Sequence, residues 1–282
     1  MYRRFMDSHI LAALEEDIPT IDHSAIVVAD EDCRASARLI CKQDGVIAGL
    51  GVFERVFQLV DSGISWNMHV KDGQDICRGQ ILGVVEGPAR GILSAERTAL
   101  NYLQRMSGIA TYTRKMVSRL AGANVRLADT RKTTPGMRLF EKEAVRVGGG
   151  VSHRENLSEC IMLKDNHVML AGGVGAAVFR ARRHAPFTLK IEVEVESVAD
   201  ALEAADAGAD IIMLDNMSVA DMRRAVNLID GRALVECSGN VTLDNVAEVA
   251  STGVDVISSG ALTHSAGIVN LSLKEFRVMS HG

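Results

Sequence analysis

From Val125 onward, short apolar runs rich in β-branched residues alternate with stretches whose apolar positions recur at helical spacing. The strand-like runs fall at Val125–Ala128, Glu159–Leu163, Thr188–Val195, Asp210–Leu214, Ala233–Cys237 and Val254–Ser258. Helical patterns lie between them at 138–147, 174–183, 197–206, 218–229 and 242–251. Ala207-Gly208-Ala209 and Ser251-Thr252-Gly253 mark helix stops ahead of the next strand. Such alternation predicts a parallel sheet, curled into an incomplete or distorted barrel.

The first hundred residues read differently. A short helix is expected over 8–16, with Ile10, Leu11 and Leu14 on one face. Residues 33–41 alternate like a half-buried strand, and 51–61 carry Val52, Val56, Leu59 and Val60 at helical spacing. Ile64 to Ala89 is rich in Gly and Val, with turns at Lys71-Asp72-Gly73 and Arg78-Gly79, and predicts a small sheet. A long helix is expected from an N-cap at Ser94, with Ala99, Tyr102, Leu103 and Met106 on its apolar face and an interruption at Gly108. Arg97, Asn101 and Arg105 are four apart on its other side, a spacing that by itself describes solvated charge.

Composition narrows the function classes. The 282 residues suit one large barrel-type domain, or a barrel with a smaller companion. The net charge of -5 argues against nucleic-acid binding through a basic surface, so any phosphate binding must be local. Cys33, Cys41, Cys77, Cys160 and Cys237 form no Cys-x-x-Cys pair and make a poor disulfide framework, as in a reducing compartment. The opening Met1-Tyr2-Arg3-Arg4-Phe5 leads to Asp7, Ser8 and His9 without a signal-peptide apolar run, and no stretch approaches the roughly 20 apolar residues of a membrane span. A soluble, cytoplasmic protein with no nucleic-acid or membrane partner is the expectation.

The chemistry gathers at the strand ends. The first strand leads into Asp129-Thr130-Arg131-Lys132-Thr133-Thr134-Pro135-Gly136, and the second into Lys164-Asp165-Asn166-His167. Glu192, Glu194 and Glu196 share one face of the third, either inside a barrel mouth or in solvent, with the last residues of the strand nearest the rim. The fourth ends in Asp215-Asn216, the fifth in Glu236, Ser238, Gly239 and Asn240, and the sixth in Ser258-Ser259-Gly260. Charges at the ends of several strands of a β/α array converge on one mouth. Here they predict a pocket with several cations and at least two carboxylates, suited to a polyanion held with a divalent metal. The two Ser-Gly turns offer backbone N–H groups to a phosphate. Gly148-Gly149-Gly150, ahead of His153-Arg154, reads as a pocket wall that backbone can form closely.

Three other chemistries fit less well. Zinc on His153, Asp165 and His167 lacks a tetrahedral ligand spacing. Ser238 as a nucleophile lacks the Gly-x-Ser-x-Gly elbow. Lys164 as a Schiff base competes with anion binding, which its neighbouring cations favour.

At these motifs the chain resembles the quinolinate phosphoribosyltransferases. The resemblance is carried by Glu96-Arg97-Thr98-Ala99-Leu100-Asn101, Ser107-Gly108-Ile109-Ala110-Thr111, the Asp129–Gly136 run, His153-Arg154, Lys164–His167, Glu192–Val195, Leu214-Asp215-Asn216, Ser238-Gly239-Asn240 and Gly260–Ser265. It implies an α/β fold, with an N-terminal α/β sandwich domain (1–107), an open TIM-like α/β barrel (108–265) and a C-terminal tail (266–282) returning to the first domain. It implies a pentosyltransferase joining quinolinate to phosphoribosyl pyrophosphate with Mg²⁺, giving nicotinate mononucleotide, pyrophosphate and CO₂, on the route to NAD. It also implies a homodimer or larger assembly with shared active sites. A same-fold paralogue with a different acceptor is the alternative, and a non-catalytic binder is a third reading that intact Glu194 and Asp215 disfavour.

Carried onto this sequence, the resemblance implies that Arg131, His153, Arg154 and Lys164 line a dicarboxylate pocket, with Arg97 reaching in from the other subunit. Lys132 would bridge towards pyrophosphate, near Thr130. Glu194 and Asp215 would hold ribose hydroxyls and Mg²⁺, and Lys132, Lys164, Glu194 and Asp215 form the catalytic set. Ser238, Gly239, Asn240, Ser259 and Gly260 would take the 5′-phosphate. Ser152 stands where the family commonly has Asn, a change expected to loosen the orientation of His153. The opening Glu16-Asp17-Ile18-Pro19-Thr20 follows the family pattern only loosely, which bears on packing more than chemistry.

Overall fold

A computed structural model describes residues 2–279. The chain begins with α1 (Tyr2–Asp17) and α2 (His23–Val28), then β1 (Arg34–Cys41), β2 (Gly45–Val46), α3 (Leu50–Val60), β3 (Ser65–Met68), β4 (Asp75–Ile76), β5 (Ile81–Pro88) and α4 (Ala89–Arg119). It continues through β6 (Arg126–Ala128), α5 (Arg138–Gly148), β7 (Ile161–Leu163), α6 (Asp165–Ala171) and α7 (Val174–His184). A regular alternation follows: β8 (Ile191–Val195), α8 (Val198–Asp206), β9 (Ile211–Asp215), α9 (Val219–Ile229), β10 (Leu234–Ser238), α10 (Val246–Ala250), β11 (Val256–Ser258) and α11 (Ala261–His264). Strand β12 (Leu271–Val278) comes last.

The chain divides into two compact units. One comprises Met1–Tyr112, Leu139–Gly148 and Ala266–Gly282, the other Thr113–Arg138 and Gly149–Ser265. The first holds an antiparallel sheet in the order β12-β1-β5-β3, so the last strand pairs with the first. Its core includes Phe53, Phe57, Leu82, Ile92, Leu100 and Leu103, all essentially inaccessible to solvent. Each such side chain contributes roughly 1.5–3 kcal/mol through burial.

Three local expectations are corrected in this unit. Helix α4 starts directly after Pro88, so Ser94 is not its cap; the Ser94 hydroxyl instead donates to Asp22 at 2.9 Å. Gly108 does not interrupt the helix. A β-carbon there would lie 1.9 Å from the Gly267 carbonyl oxygen, so glycine answers a close backbone approach rather than a helix end. Helix α5 has the predicted bounds within a residue, but from Leu139 on it belongs to the first unit. Phe140 on it packs its ring 4.9 Å from His9 and 5.2 Å from Tyr102.

The second unit carries a six-stranded parallel sheet in the order β6-β11-β10-β9-β8-β7. Its two edges, β6 and β7, are not paired, and the barrel is open as expected. Ile191, Val193, Val195, Ile212, Leu214, Val235, Cys237 and Ile257 are buried along its strands. Ser197 and Ser218 each accept a hydrogen bond from the backbone N–H three residues on and start α8 and α9 where the sequence predicts. Helix α6 was not foreseen: it is short, and none of its residues is buried, so it carries no apolar stripe.

Candidate active site

The C-terminal ends of the parallel strands surround a cavity of about 490 Å³. It is lined by Thr130, Arg131, Lys132, His153, Arg154, Met162, Lys164, Glu194, Met213, Asp215, Asn216, Glu236, Ser238, Gly239, Asn240 and Ser258. The register explains the convergence. Glu194 pairs with Met213, Met213 with Glu236, and Asp215 with Ser238, so alternate residues of neighbouring strands face the same space.

The cations occupy one wall. Lys132 is fixed through its backbone: its N–H donates to the Thr130 hydroxyl at 3.0 Å, and its carbonyl accepts from Thr263 on α11 at 2.9 Å. Arg138 anchors the same loop, donating to Thr133 at 3.1 Å and to the Glu155 carbonyl at 2.8 Å. The Arg154 guanidinium donates to the Cys160 carbonyl at 3.2 Å and meets Met162 Sδ at 3.2 Å. Arg131 buries its Nε without a hydrogen-bond partner. Burial, then repulsion from Arg154 and Arg138, lowers its pKa, so this wall gains from any anion placed against it.

Two acids line the same cavity from β8 and β9. Glu194 on β8 accepts from Lys164 Nζ at 2.8 Å, and Asp215 at the end of β9 accepts from the Asn216 amide at 2.7 Å. These bonds use Oε2 and Oδ2 and leave Oε1 and Oδ1 outside them. Two half-buried carboxylates with oxygen donors only suit Mg²⁺, which binds through one or two carboxylates together with substrate phosphates. The residues present therefore fit that ion.

Beneath the cavity, His153 meets two buried carboxylates. Its Nε2 lies 3.4 Å from Glu192 and 3.3 Å from Glu236, while Nδ1 accepts the Arg154 backbone N–H at 2.8 Å. Burial alone disfavours a charged ring, but the hydrogen bonds and charges of the two glutamates outweigh it and raise His153 to about 10. Burial, reinforced by Glu236, also raises Glu192. With His153 at about 10, the trio retains one proton beyond a neutral ring and two carboxylates at neutral pH. An imidazolium would turn an Nδ1–H against the Arg154 N–H. The geometry thus favours the Nε2–H tautomer, with the additional proton on the carboxylates. The ligand atoms of the trio lie within 4.8 Å of one another, and in the Nε2–H tautomer the nitrogen facing the carboxylates offers a metal no lone pair.

Eleven of the fourteen expected substrate-binding residues line the cavity (14 named less Arg97, Ser259 and Gly260). Arg97 is exposed on the part of α4 that lies in the first unit. Ser259 is buried; its N–H donates to the Ala128 carbonyl and its hydroxyl to the Val241 carbonyl, each at 3.0 Å. Neighbouring Ser258 faces the cavity instead, with its hydroxyl unpartnered. Gly260 backs the Lys132 side chain, whose Cδ would lie 2.9 Å from an added β-carbon.

The triglycine is not a cavity wall. Gly149, at φ +100°, turns the chain so that Val151 bridges Ala128 in parallel and delivers His153 to the site. His167 joins no metal group with His153; it accepts the Lys164 backbone N–H at 3.0 Å at the start of α6. Ser152 contacts Asp129 at a long 3.4 Å, whereas the His153 N–H donates to Asp129 at 2.8 Å. Met162 and Met213 were not expected in the lining, while Glu236 and Ser258 had been placed at the strand ends without a binding role. Their strand alternation, in phase with Glu194 and Asp215, was the available signal.

An open parallel β/α barrel whose cavity gathers several cations and two carboxylates at the strand ends defines an enzyme site for polyanionic small molecules. Residues 22–107 match the family model for the quinolinate phosphoribosyl transferase N-terminal domain, and residues 109–274 the C-terminal domain. A probable nicotinate-nucleotide pyrophosphorylase [carboxylating] of Methanothermobacter thermautotrophicus is 45% identical over 271 residues, covering 93% of this chain and 95% of that one. A mitochondrial quinolinate phosphoribosyltransferase [decarboxylating] of Nicotiana tabacum is 40% identical over 281 residues, covering 93% and 80%. The crystal structure of NadC from Streptococcus pyogenes superposes with a TM-score of 0.95 at 46% identity, covering 98% of this chain and 97% of that one. The chain belongs to the quinolinate phosphoribosyltransferase family.

Proposed function

We infer that this chain transfers the phosphoribosyl group of phosphoribosyl pyrophosphate to quinolinate with decarboxylation, giving nicotinate mononucleotide, pyrophosphate and CO₂, a step of NAD biosynthesis. The observation that carries the reading is the division of one cavity into a cationic wall and a carboxylate wall within a chain of this family. Quinolinate presents two adjacent carboxylates, and guanidinium forks at Arg131 and Arg154 suit them, with Lys164 and the His153 trio alongside. Lys132 lies nearer the pyrophosphoryl side, and Ser238, Gly239 and Asn240 nearer the 5′-phosphate.

In the reaction the quinolinate ring nitrogen forms a bond to the ribose C1 as the C1–pyrophosphate bond breaks and pyrophosphate leaves with its electron pair. The product is a cationic pyridinium. Its charge draws in the electron pair of the bond to the neighbouring carboxylate, which departs as CO₂, and the ring carbon takes a proton. Glu194 and Asp215 face the positive charge that develops at C1, so catalysis rests on positioning and electrostatics rather than on a dedicated acid or base. Glu194 and Asp215 would hold Mg²⁺, which supplies charge neutralisation for the pyrophosphate.

Two further elements belong to this reading. Arg97 completes the site from a second copy of the chain, in a homodimer or larger assembly; its exposure and its absence from the cavity lining support this. The cytoplasm is the proposed location, and among the described residues no helix is long and apolar enough to cross a membrane.

Turnover tests the reaction: nicotinate mononucleotide and CO₂ should form from quinolinate, phosphoribosyl pyrophosphate and Mg²⁺, and not with nicotinic acid as acceptor. No turnover from a folded chain that binds phosphoribosyl pyrophosphate would point to another acceptor. Mixing inactive Arg97→Ala and Lys164→Ala chains should restore part of the activity; no recovery after proven subunit exchange would refute the shared site.

A further inference from the structure

We propose that Asn216, held by Asn240, is a positioning residue that sets the orientation of the Asp215 carboxylate. The inference rests on the reading of Asp215 as a ligand for phosphoribosyl pyrophosphate. Asn216 follows β9 at φ +53° and Asn240 follows β10 at φ +51°, with Gly239 between the strand end and Asn240 at φ +93°. The left-handed region disfavours most side chains and tolerates Asn and Gly best. All three positions line the cavity.

Their polar groups form one line. The Asn216 amide nitrogen donates to Asp215 Oδ2 at 2.7 Å, and its Oδ1 accepts from the Asn240 amide nitrogen at 3.0 Å. The Asn240 carbonyl in turn accepts from Asn245 at 3.0 Å. A carboxylate only accepts, so the NH₂ of Asn216 must face Asp215 and its oxygen must face Asn240. No amide flip satisfies the line as well. The backbone ties the two strand ends together, since the Asn216 N–H donates to the Ser238 carbonyl at 3.1 Å.

Gly239 makes the arrangement possible. A β-carbon there would sit 2.3 Å from Asn216 Oδ1, so any side chain would push the amide off Asp215. Asn216 and Asn240 are both exposed, where hydrogen bonds add little net stability. What the line supplies is orientation: it occupies Oδ2 and leaves Oδ1 for a ligand.

The test uses two variants of the full chain. Asn216→Gly keeps the left-handed backbone and deletes the amide; Asn216→Asp keeps the shape but cannot donate to a carboxylate. Calorimetry should show phosphoribosyl pyrophosphate with Mg²⁺ binding about tenfold more weakly to both, about 1.4 kcal/mol. Quinolinate affinity should stay within about twofold, and the melting temperature of Asn216→Gly should stay near wild type. Adding Asn240→Gly to Asn216→Gly should cost nothing further, because the line is already broken. Wild-type affinity for phosphoribosyl pyrophosphate in Asn216→Gly overturns the proposal, as does a parallel loss of both ligands with a lower melting temperature. A wild-type chain that binds no phosphoribosyl pyrophosphate overturns instead the reading on which it rests.

Discussion

The two walls of the cavity are built on opposite principles. On the acidic wall, Glu194 and Asp215 already accept charge-assisted or amide hydrogen bonds at 2.8 and 2.7 Å, so their geometry is set before a ligand arrives. On the cationic wall, Arg131 keeps a buried Nε without a partner and is repelled by Arg154 and Arg138. One wall is pre-organised, and the other is left short of counter-charge. On the proposed reaction, the difference would divide binding energy from alignment: a dianion would relieve the cationic wall, while the acidic wall would be in place for the charge that develops at C1.

Substituting a fork by a point charge breaks the comparison most sharply. Arg154→Lys should raise the KM for quinolinate about 100-fold, the worth of a bidentate charge-assisted pair, and leave that for phosphoribosyl pyrophosphate within about twofold. Equal losses for both substrates would mean that the walls are not divided between them.

A smaller effect comes from the trio beneath the cationic wall. His153 is raised from 6.5 to about 10, and Glu192 is raised as well, so the folded chain keeps a proton that the unfolded chain gives up. The stability contributed by the proton that His153 shares with the two glutamates is complete below about pH 6.5 and is lost as pH climbs through about 10. Urea midpoints of wild type and His153→Gln should therefore converge between those pH values. A gap that stays constant or widens would show that the trio holds no such proton. The smallest effect is expected of Ser152→Asn: with Ser152 in a long 3.4 Å contact to Asp129 while the His153 N–H holds Asp129 at 2.8 Å, kcat/KM should change less than about twofold. A tenfold gain would mean that Ser152 does loosen His153.

These walls were unequally legible in the sequence. The strand-end charges from Asp129 to Asp215 announced themselves, because a polar cluster after a β-branched run interrupts the apolar pattern. The floor did not. Glu192 and Glu236 are carboxylates on strands, and alternation alone could not separate a buried partner of His153 from a rim acid like Glu194. Elsewhere, the rhythm of β8 to α9 was readable since each helix has its serine cap and its own apolar stripe. Helix α5 kept the right period but packs Phe140 against His9 and Tyr102, and no periodicity names the surface a helix will cover. Gly108 misled because helix propensity speaks against glycine, while the close Gly267 carbonyl requires it.

The most direct measurement of the account's central claim is calorimetric binding of quinolinate and of nicotinate to the wild-type chain. The two ligands share the ring and one carboxylate, so their difference isolates the second carboxylate against the cationic wall. A cationic wall short of counter-charge predicts that quinolinate binds about 100-fold more tightly, with the gap shrinking in Arg154→Lys. Equal affinities in the wild type would contradict it.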